Sequence, residues 1–338
     1  MSVHGETSLP LNRKPIVSVA PMMDWTDRHC RYFHRLLAPS AVLYTEMVTA
    51  AALAHGDTAR LLQFDASEHP VVLQVGGNDP GLMADAARAG FEAGFDAINI
   101  NVGCPSDRVQ SGAFGACLMK TPAVVADCFA AMSAAVPIPV TVKSRIGVDE
   151  ADSDAFLDTF VRTLADAGCT HFDIHARIAI LKGLSPKENR TVPPLNYPRV
   201  YALKQRYPEL VVVINGGVQT LDDAAAHLRQ VDGIMIGREA YQNPFSLTEM
   251  ETAFGTRRTP VTREQVVTSM QHYATAQLER GDVQLKHIVR HMLGLFNGLP
   301  GARQWRRTLS ERSHQKGVDV SLFDEALDAR LSAARHVA

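Results

Sequence analysis

Short runs of β-branched and other apolar residues recur along the first two thirds of the chain. They lie at 16–20, 42–46, 71–75, 97–101, 140–144, 172–175, 211–215 and 233–237. Runs of this length, bounded by turn residues, predict strands. Between most of them lie Ala/Leu-rich stretches of helical length, among them 80–93, 122–135, 154–167 and 221–230. Eight strands, each followed by a crossover, imply a parallel sheet covered on both faces. Eight such units in about 250 residues have the size of a (β/α)8 TIM barrel. A doubly wound open sheet is the alternative, but it would carry G-x-G-x-x-G after its first strand. Here the first strand runs into Pro21-Met22-Met23-Asp24.

From about Thr262 the strand-like runs vanish. Helical apolar spacing takes over at 262–280 and 283–297, punctuated by Gly281 and Gly298, and further helices are predicted at 301–310 and 321–335. The expected architecture is a TIM barrel over 1–252 followed by a small C-terminal helical domain over 253–338.

Charge sharpens that division. Residues 253–338 hold 13 Lys+Arg against 8 Asp+Glu, a balance of +5, which leaves −7 for the rest of a chain whose net charge is −2. An acidic body with a basic appendage suggests that the appendage handles a polyanion. A solvated helical face gives the same count. The segment Gln304-Trp305-Arg306-Arg307 sets an aromatic among cations, which suits backbone contact and base stacking, or simply helix packing by Trp305. Arg303 and Arg306 are three apart and share a helix face.

Composition narrows the class. With 46% hydrophobic and 21% charged residues among 338, the chain is an ordinary globular one, not a disordered, collagen-like or disulfide-stapled chain. No apolar run approaches the roughly 18 residues of a membrane span, and the polar first 14 residues lack a secretory h-region. The five cysteines include no C-x-x-C pair, so no metal site is expected, and free thiols fit a reducing cytoplasm. No feature calls for an obligate protein partner.

In a TIM barrel the chemistry sits at the C-terminal ends of the strands. Those ends carry Gln74, Asn101, Lys143, His175, Asn215 with Gly216 and Gly217, and Gly237 with Arg238. Glycines after the last two strands let backbone N–H groups approach a phosphate, and Arg238 adds a guanidinium; ordinary tight turns would use the same residues. Gln74, Lys143 and His175 can meet the polar edge of a planar heterocycle, where Lys143 would stabilise the negative charge of a reduced flavin. His175 alone would equally be a satisfied core histidine. Cys104 follows a strand in Asn101-Val-Gly-Cys-Pro-Ser106. Its thiol can serve as a nucleophile, as a general acid, or as small buried packing.

Taken in order, these strand ends resemble the tRNA-dihydrouridine synthases, most closely their A-type branch. The resemblance is carried by Ala20-Pro-Met-Met-Asp-Trp-Thr-Asp-Arg28, Thr45-Glu-Met47, Gln74-Val-Gly-Gly77 and the Cys104-centred stretch from Asn101 to Cys117. It continues through Val142-Lys-Ser-Arg-Ile-Gly147, His175-Ala-Arg177, Leu184-Ser-Pro-Lys-Glu-Asn-Arg190, Asn215-Gly-Gly217 and Gly237-Arg238. It implies an FMN-containing barrel that reduces the C5–C6 double bond of D-loop uridines 20 and 20a in tRNA, with NADPH reducing the flavin. By the same resemblance Cys104 would protonate C5, and Pro21, Met22 and Met23 would lie against the flavin ring. Gln74, Lys143 and His175 would meet its polar edge, and Asn215, Gly216, Gly217, Gly237 and Arg238 would hold its phosphate. Asn101 would touch the flipped uracil, and Lys187, Arg190, Arg303 and Arg306 would touch tRNA. Two other classes use the same barrel: a flavin enzyme acting on a free pyrimidine, which needs no basic appendage, and a non-catalytic RNA-binding module.

Overall fold

The computed structural model describes residues 14–256 and 259–335. Its strands are β1 (Ile16–Val19), β2 (Val42–Tyr44), β3 (Val48–Thr49), β4 (Val71–Gly76), β5 (Ala97–Val102), β6 (Val140–Arg145), β7 (His171–His175), β8 (Val211–Asn215) and β9 (Gly233–Ile236). They hydrogen-bond in the order β2-β1-β9-β8-β7-β6-β5-β4, and β2 pairs with β4 to close the ring. The result is a closed barrel of eight parallel strands, a TIM barrel, as the alternation of strands and crossovers predicts. The two-residue β3 is an addition that the sequence pattern did not show; it pairs alongside the end of β4.

A period of two along each strand sorts side chains between the helices and the lumen. On β5, Ile98, Ile100 and Val102 are buried on the helix side, while Asn99 and Asn101 alternate with them. Phe172 and Ile174 do the same on β7, leaving His171, Asp173 and His175 on the other face. The polar set faces the lumen, because its hydrogen bonds join strands that are not neighbours. Tyr44 on β2 reaches Asp173 on β7 at 3.0 Å, and Asn99 on β5 reaches the same carboxylate at 3.2 Å.

The crossover helices begin where their caps dictate. Pro80 opens the helix Pro80–Ala93 behind Asp79, whose carboxylate accepts the Leu82 N–H, and Gly94 closes it in the left-handed conformation. Ser153 caps Asp154–Asp166 in the same way. The helix Ser246–Phe254 runs across the expected 252/253 division, with Glu251 accepting from the Ser40 N–H at 3.0 Å and its hydroxyl at 2.7 Å.

Beyond it lie the helices Arg263–Glu279, Leu285–Val289, Ala302–Arg312 and Leu322–Arg335. The long helix expected over 283–297 is only five residues long. After Val289 the chain turns repeatedly, and Gly294 passes so close to the Gln242 carbonyl that a side chain there would collide with it. Trp305 is 0% exposed, its indole N–H donates to the Met292 carbonyl at 3.0 Å, and Phe296 meets its ring edge-on. The stacking role considered for Trp305 is therefore excluded: its ring staples the helix Ala302–Arg312 to those turns.

The C-terminal helices dock on the first barrel helix, Arg28–Leu37. Tyr273 stacks on Tyr32 with ring centroids 3.9 Å apart and bonds the His29 Nδ1 through its hydroxyl at 2.8 Å. Arg290 and His291 both reach Asp27, the N-cap of that helix. The basic appendage is thereby fixed beside the barrel's first βα unit.

Candidate active site

The C-terminal tips of the strands surround one cavity of about 410 Å³. Pro21, Met22 and Met23 line it from the loop after β1, and Gln74 and Asn101 from β4 and β5. Cys104 enters from the loop after β5; Lys143 and His175 enter from β6 and β7. Asn215, Gly216, Gly217, Gly237, Arg238 and Arg190 complete the wall. Fourteen residues singled out in the sequence thus meet in one place. Lys187 is exposed outside the cavity lining, on the short helical turn region that carries Arg190. Arg303 and Arg306 are exposed on the helix Ala302–Arg312, away from this cavity.

The cavity has a cationic side. Lys143, Arg145, Arg177, Arg190 and Arg238 all line it. Burial pulls the Lys143 ammonium down to about 8, against the opposing pull of Asp173. Burial, followed by the fields of Arg145, Lys143, Arg177 and Arg238, holds His175 well below the ordinary histidine range, so its ring is neutral near pH 7. Lys143 Nζ donates to Asn215 Oδ1 at 3.1 Å, and Asn215 Nδ2 donates to the Met235 carbonyl at 2.8 Å. This pair ties the tips of β6, β8 and β9 together.

Three of the arginines are partly spent on the backbone. Arg145 donates from Nε to the Gly103 carbonyl at 3.0 Å and from Nη1 to the Ile178 and Asn189 carbonyls at 2.8 and 2.9 Å. Arg177 bonds the Pro193 carbonyl, and Arg238 the Arg190 carbonyl at 3.1 Å. They hold the loop after β7 over the cavity. Asn189, 0% exposed, fastens that loop from within through Ile180, Leu184 and Ser185.

The glycine turn after β8 is a built cradle. Gly216 has φ +116°, and a Cβ on it would stand 2.8 Å from the His175 ring. Gly217 has φ +75°, and a Cβ there would meet the Tyr197 hydroxyl at 2.5 Å. Only glycine fits both the conformation and the space. Backbone amides without side chains, set beside Arg177 and Arg238, suit a phosphate. With Lys143 at the polar edge and apolar Met22 and Met23 on one wall, the residues fit a flavin mononucleotide.

Cys104 faces this cavity with its backbone N–H bonded to Asn101 Oδ1 at 3.0 Å and its thiol donating to the Ser106 hydroxyl at 3.5 Å. Lys143, Arg145 and Arg190 all lie within electrostatic reach of its sulfur. A thiol facing the cavity in this position can serve as a proton donor. Among the described residues no group of His, Cys, Asp and Glu is gathered to hold a metal ion.

A model of the dihydrouridine synthase (Dus) family matches residues 18–332. The chain belongs to the dihydrouridine synthase family. Members of this family are flavin-dependent oxidoreductases, and the cradle and cationic edge agree with that chemistry. Among curated proteins, the tRNA-dihydrouridine(20/20a) synthase of Vibrio cholerae serotype O1 is 55% identical over 313 residues, covering 92% of this chain and 95% of that one. The tRNA-dihydrouridine(20/20a) synthase of Yersinia pestis is 55% identical over 320 residues, covering 94% and 91%. That of Escherichia coli strain K12 is 55% identical over 312 residues, covering 92% and 90%.

Four polar residues at or beneath this cavity of the dihydrouridine synthase chain have no role assigned from the sequence: Arg145 and Arg177 line it, and Asn99 and Asp173 are buried in the barrel below. The signal was present for Asn99 and Asp173. Each stands two residues before a recognised site residue, on the same strand face, inside an otherwise apolar run.

Proposed function

We propose that this protein reduces the C5–C6 double bond of uridines 20 and 20a in the D-loop of tRNA, giving dihydrouridine, with bound FMN and with NADPH as the reductant. The observation that carries the reading is that the Cys104 thiol, the Lys143 ammonium and the Gly216-Gly217 cradle open into a single cavity. When bound there, the flavin supplies a hydride for C6 of uracil.

The protein's own residues supply the rest. A uracil in folded tRNA is stacked and must be drawn out of the helix to reach the cavity. Asn101 spends one N–H on Gln74 and keeps the other for a uracil carbonyl. Cys104 donates its proton to C5, opposite the hydride, and solvent later returns a proton to the sulfur. Lys143, Gln74 and His175 orient the flavin edge, and Asn215, Gly216, Gly217, Gly237 and Arg238 hold the phosphate. The barrel does this chemistry, and the helices from about Ala253 onward, with Lys187 and Arg190, grip the tRNA backbone through Arg303 and Arg306. We place the reaction in the cytoplasm: the five cysteines are free, and no helix among the described residues is long and apolar enough to cross a membrane.

The test is substrate competition with nucleoside mass spectrometry. Unmodified tRNA should gain dihydrouridine at positions 20 and 20a, while free uridine and orotate should be turned over poorly. Equal turnover of orotate would assign the protein to the free-pyrimidine class. A purified protein that binds tRNA but takes up no flavin would be an RNA-binding module.

A further inference from the structure

Three amide side chains inside the barrel, those of Asn99, Gln74 and Asn101, point one way. Asn101 Nδ2 donates to Gln74 Oε1 at 2.8 Å, Gln74 Nε2 donates to Asn99 Oδ1 at 2.8 Å, and Asn99 Nδ2 donates to Asp173 Oδ2 at 3.2 Å. At the upper end, Asn101 Oδ1 accepts the N–H groups of Gly103 at 3.1 Å and Cys104 at 3.0 Å. Side chains from β4, β5 and β7 thus form one directional line from the barrel interior to the Cys104 loop.

A primary amide carries donors at one end and an acceptor at the other, and it keeps nearly the same shape when turned end for end. A carboxylate can only accept. Asp173 is 0% exposed, and Tyr44 Oη and His171 Nε2 also reach it, at 3.0 and 3.2 Å. It therefore demands the amino end of Asn99, whose Nδ2 also donates to Thr141 Oγ1 at 2.8 Å; a hydroxyl can accept or donate, so the carboxylate and not Thr141 sets the direction. That choice turns the Asn99 oxygen toward Gln74, the Gln74 oxygen toward Asn101, and the Asn101 oxygen toward the Cys104 loop. A reversed amide anywhere along the line would set donor against donor in a water-poor interior, where unmet polar groups are costly.

We propose that Asp173 is a positioning residue for the reduction: it fixes the direction of the Asn99–Gln74–Asn101 amide line and so holds the Cys104 loop and the Gln74 amide in their working orientation. For its effect on turnover this rests on Cys104 as the proton donor. The arrangement of the loop itself does not.

Asp173 also stands opposite Lys143 in the β6–β7 register, so a role limited to balancing that charge is the competing explanation. Three variants separate the two. Asp173→Asn removes the acceptor-only end. In Asp173→Asn/Asn99→Asp the carboxylate moves one link up the line, so Asn99→Asp accepts from both Gln74 and the new amide, and the direction above it is restored at the same net charge. In Asp173→Asn/Lys143→Met both charges are gone and the direction remains unset.

Flavin-free, full-length protein is treated with iodoacetamide, and each cysteine is followed by peptide mass spectrometry. Asp173→Asn should label severalfold faster at Cys104, with Cys128 and Cys169 still protected. Asp173→Asn/Asn99→Asp should return Cys104 to the wild-type rate, and Asp173→Asn/Lys143→Met should still label faster than Lys143→Met alone. In flavin-loaded enzyme, kcat on tRNA should fall roughly tenfold to hundredfold in Asp173→Asn at little-changed KM, as expected for a misplaced reacting group, and should recover in Asp173→Asn/Asn99→Asp. Unchanged Cys104 labelling in Asp173→Asn, equal exposure of Cys128 and Cys169, or equal Cys104 labelling in Asp173→Asn/Lys143→Met and Lys143→Met would each overturn the proposal. The labelling needs neither flavin nor tRNA, so it stands or falls separately from the assignment of Cys104 as acid.

Discussion

Asp27 Oδ2 receives the Arg290 guanidinium at 2.6 Å, tying the start of the first barrel helix to the C-terminal helices. The other oxygen of the same carboxylate caps that helix, accepting the N–H groups of His29 and Cys30 at 3.0 Å each. Burial alone would raise this carboxyl; the His291 hydrogen bond and charge and the Cys30 N–H outweigh it and hold Asp27 well below the usual range. Its stabilising contribution is therefore full above the ordinary aspartate value near pH 4 and is lost as pH falls below it. Asp27→Asn keeps a capping oxygen but loses the charge. It should cost about 2 kcal/mol, the scale of a hydrogen bond to a charged group, read as a lower urea midpoint at pH 7 with the difference from wild type shrinking toward pH 3.

The same junction makes the protein acid-sensitive at a higher pH. Burial holds His29 down to about 4 and His34 to about 3. Both rings are neutral in the folded chain, while in the unfolded chain they take up protons below about pH 6.5. Because the unfolded state binds more protons in this window, stability falls as pH drops from about 6.5 toward 4. The slope is about 1.4 kcal/mol per pH unit for each proton taken up. Urea unfolding between pH 7.5 and 5 should show this decline before the carboxylates titrate. His34→Gln should flatten it, and a wild-type curve level across that range would refute the account.

Cys104→Ala removes one proton donor and leaves the rest of the cavity intact. Flavin retention and tRNA affinity should stay near wild type, because neither the Gly216-Gly217 cradle nor the cationic wall involves the thiol. Turnover to dihydrouridine should fall roughly 10²-fold or more, within the range assigned to general acid catalysis. Reduction of the flavin by NADPH, followed by absorbance without tRNA, should be unaffected. Normal dihydrouridine formation would remove Cys104 from its role.

How much of this was legible beforehand follows from what each signal depends on. The barrel was legible because parallel strands are buried on the helix side and give β-branched runs such as Val140-Thr-Val142. The glycine turn after β8 was legible because a turn at positive φ packed against His175 and Tyr197 tolerates no side chain. The extent of the segment after Val283 was not, because its apolar spacing is helical while close packing of Gly294 on Gln242 breaks the chain into turns. Trp305 among arginines could not reveal that its ring faces inward. Asp173 carried a positional signal, two residues before His175 on the same strand face, but its partners were not legible, because Tyr44 and Asn99 come to it only when the barrel closes.

The exposed arginines of the helix Ala302–Arg312 carry the last prediction. Arg307 is engaged by Glu311 at 3.1 Å, and Arg306 donates to Asn297 Oδ1 at 3.1 Å, a neutral partner that leaves its charge uncompensated. Arg303 is exposed on the same helix. If this face carries tRNA phosphates, each of Arg303 and Arg306 releases about one counterion on binding. Arg303→Ala/Arg306→Ala should then lower the slope of log affinity against log salt by about two, with folding unchanged because both side chains are in solvent. Arg307→Ala, whose charge is already met by Glu311, should change the slope less. Fluorescence anisotropy with labelled tRNA across a salt series measures all three, and an unaltered slope in Arg303→Ala/Arg306→Ala would move the tRNA track off this helix.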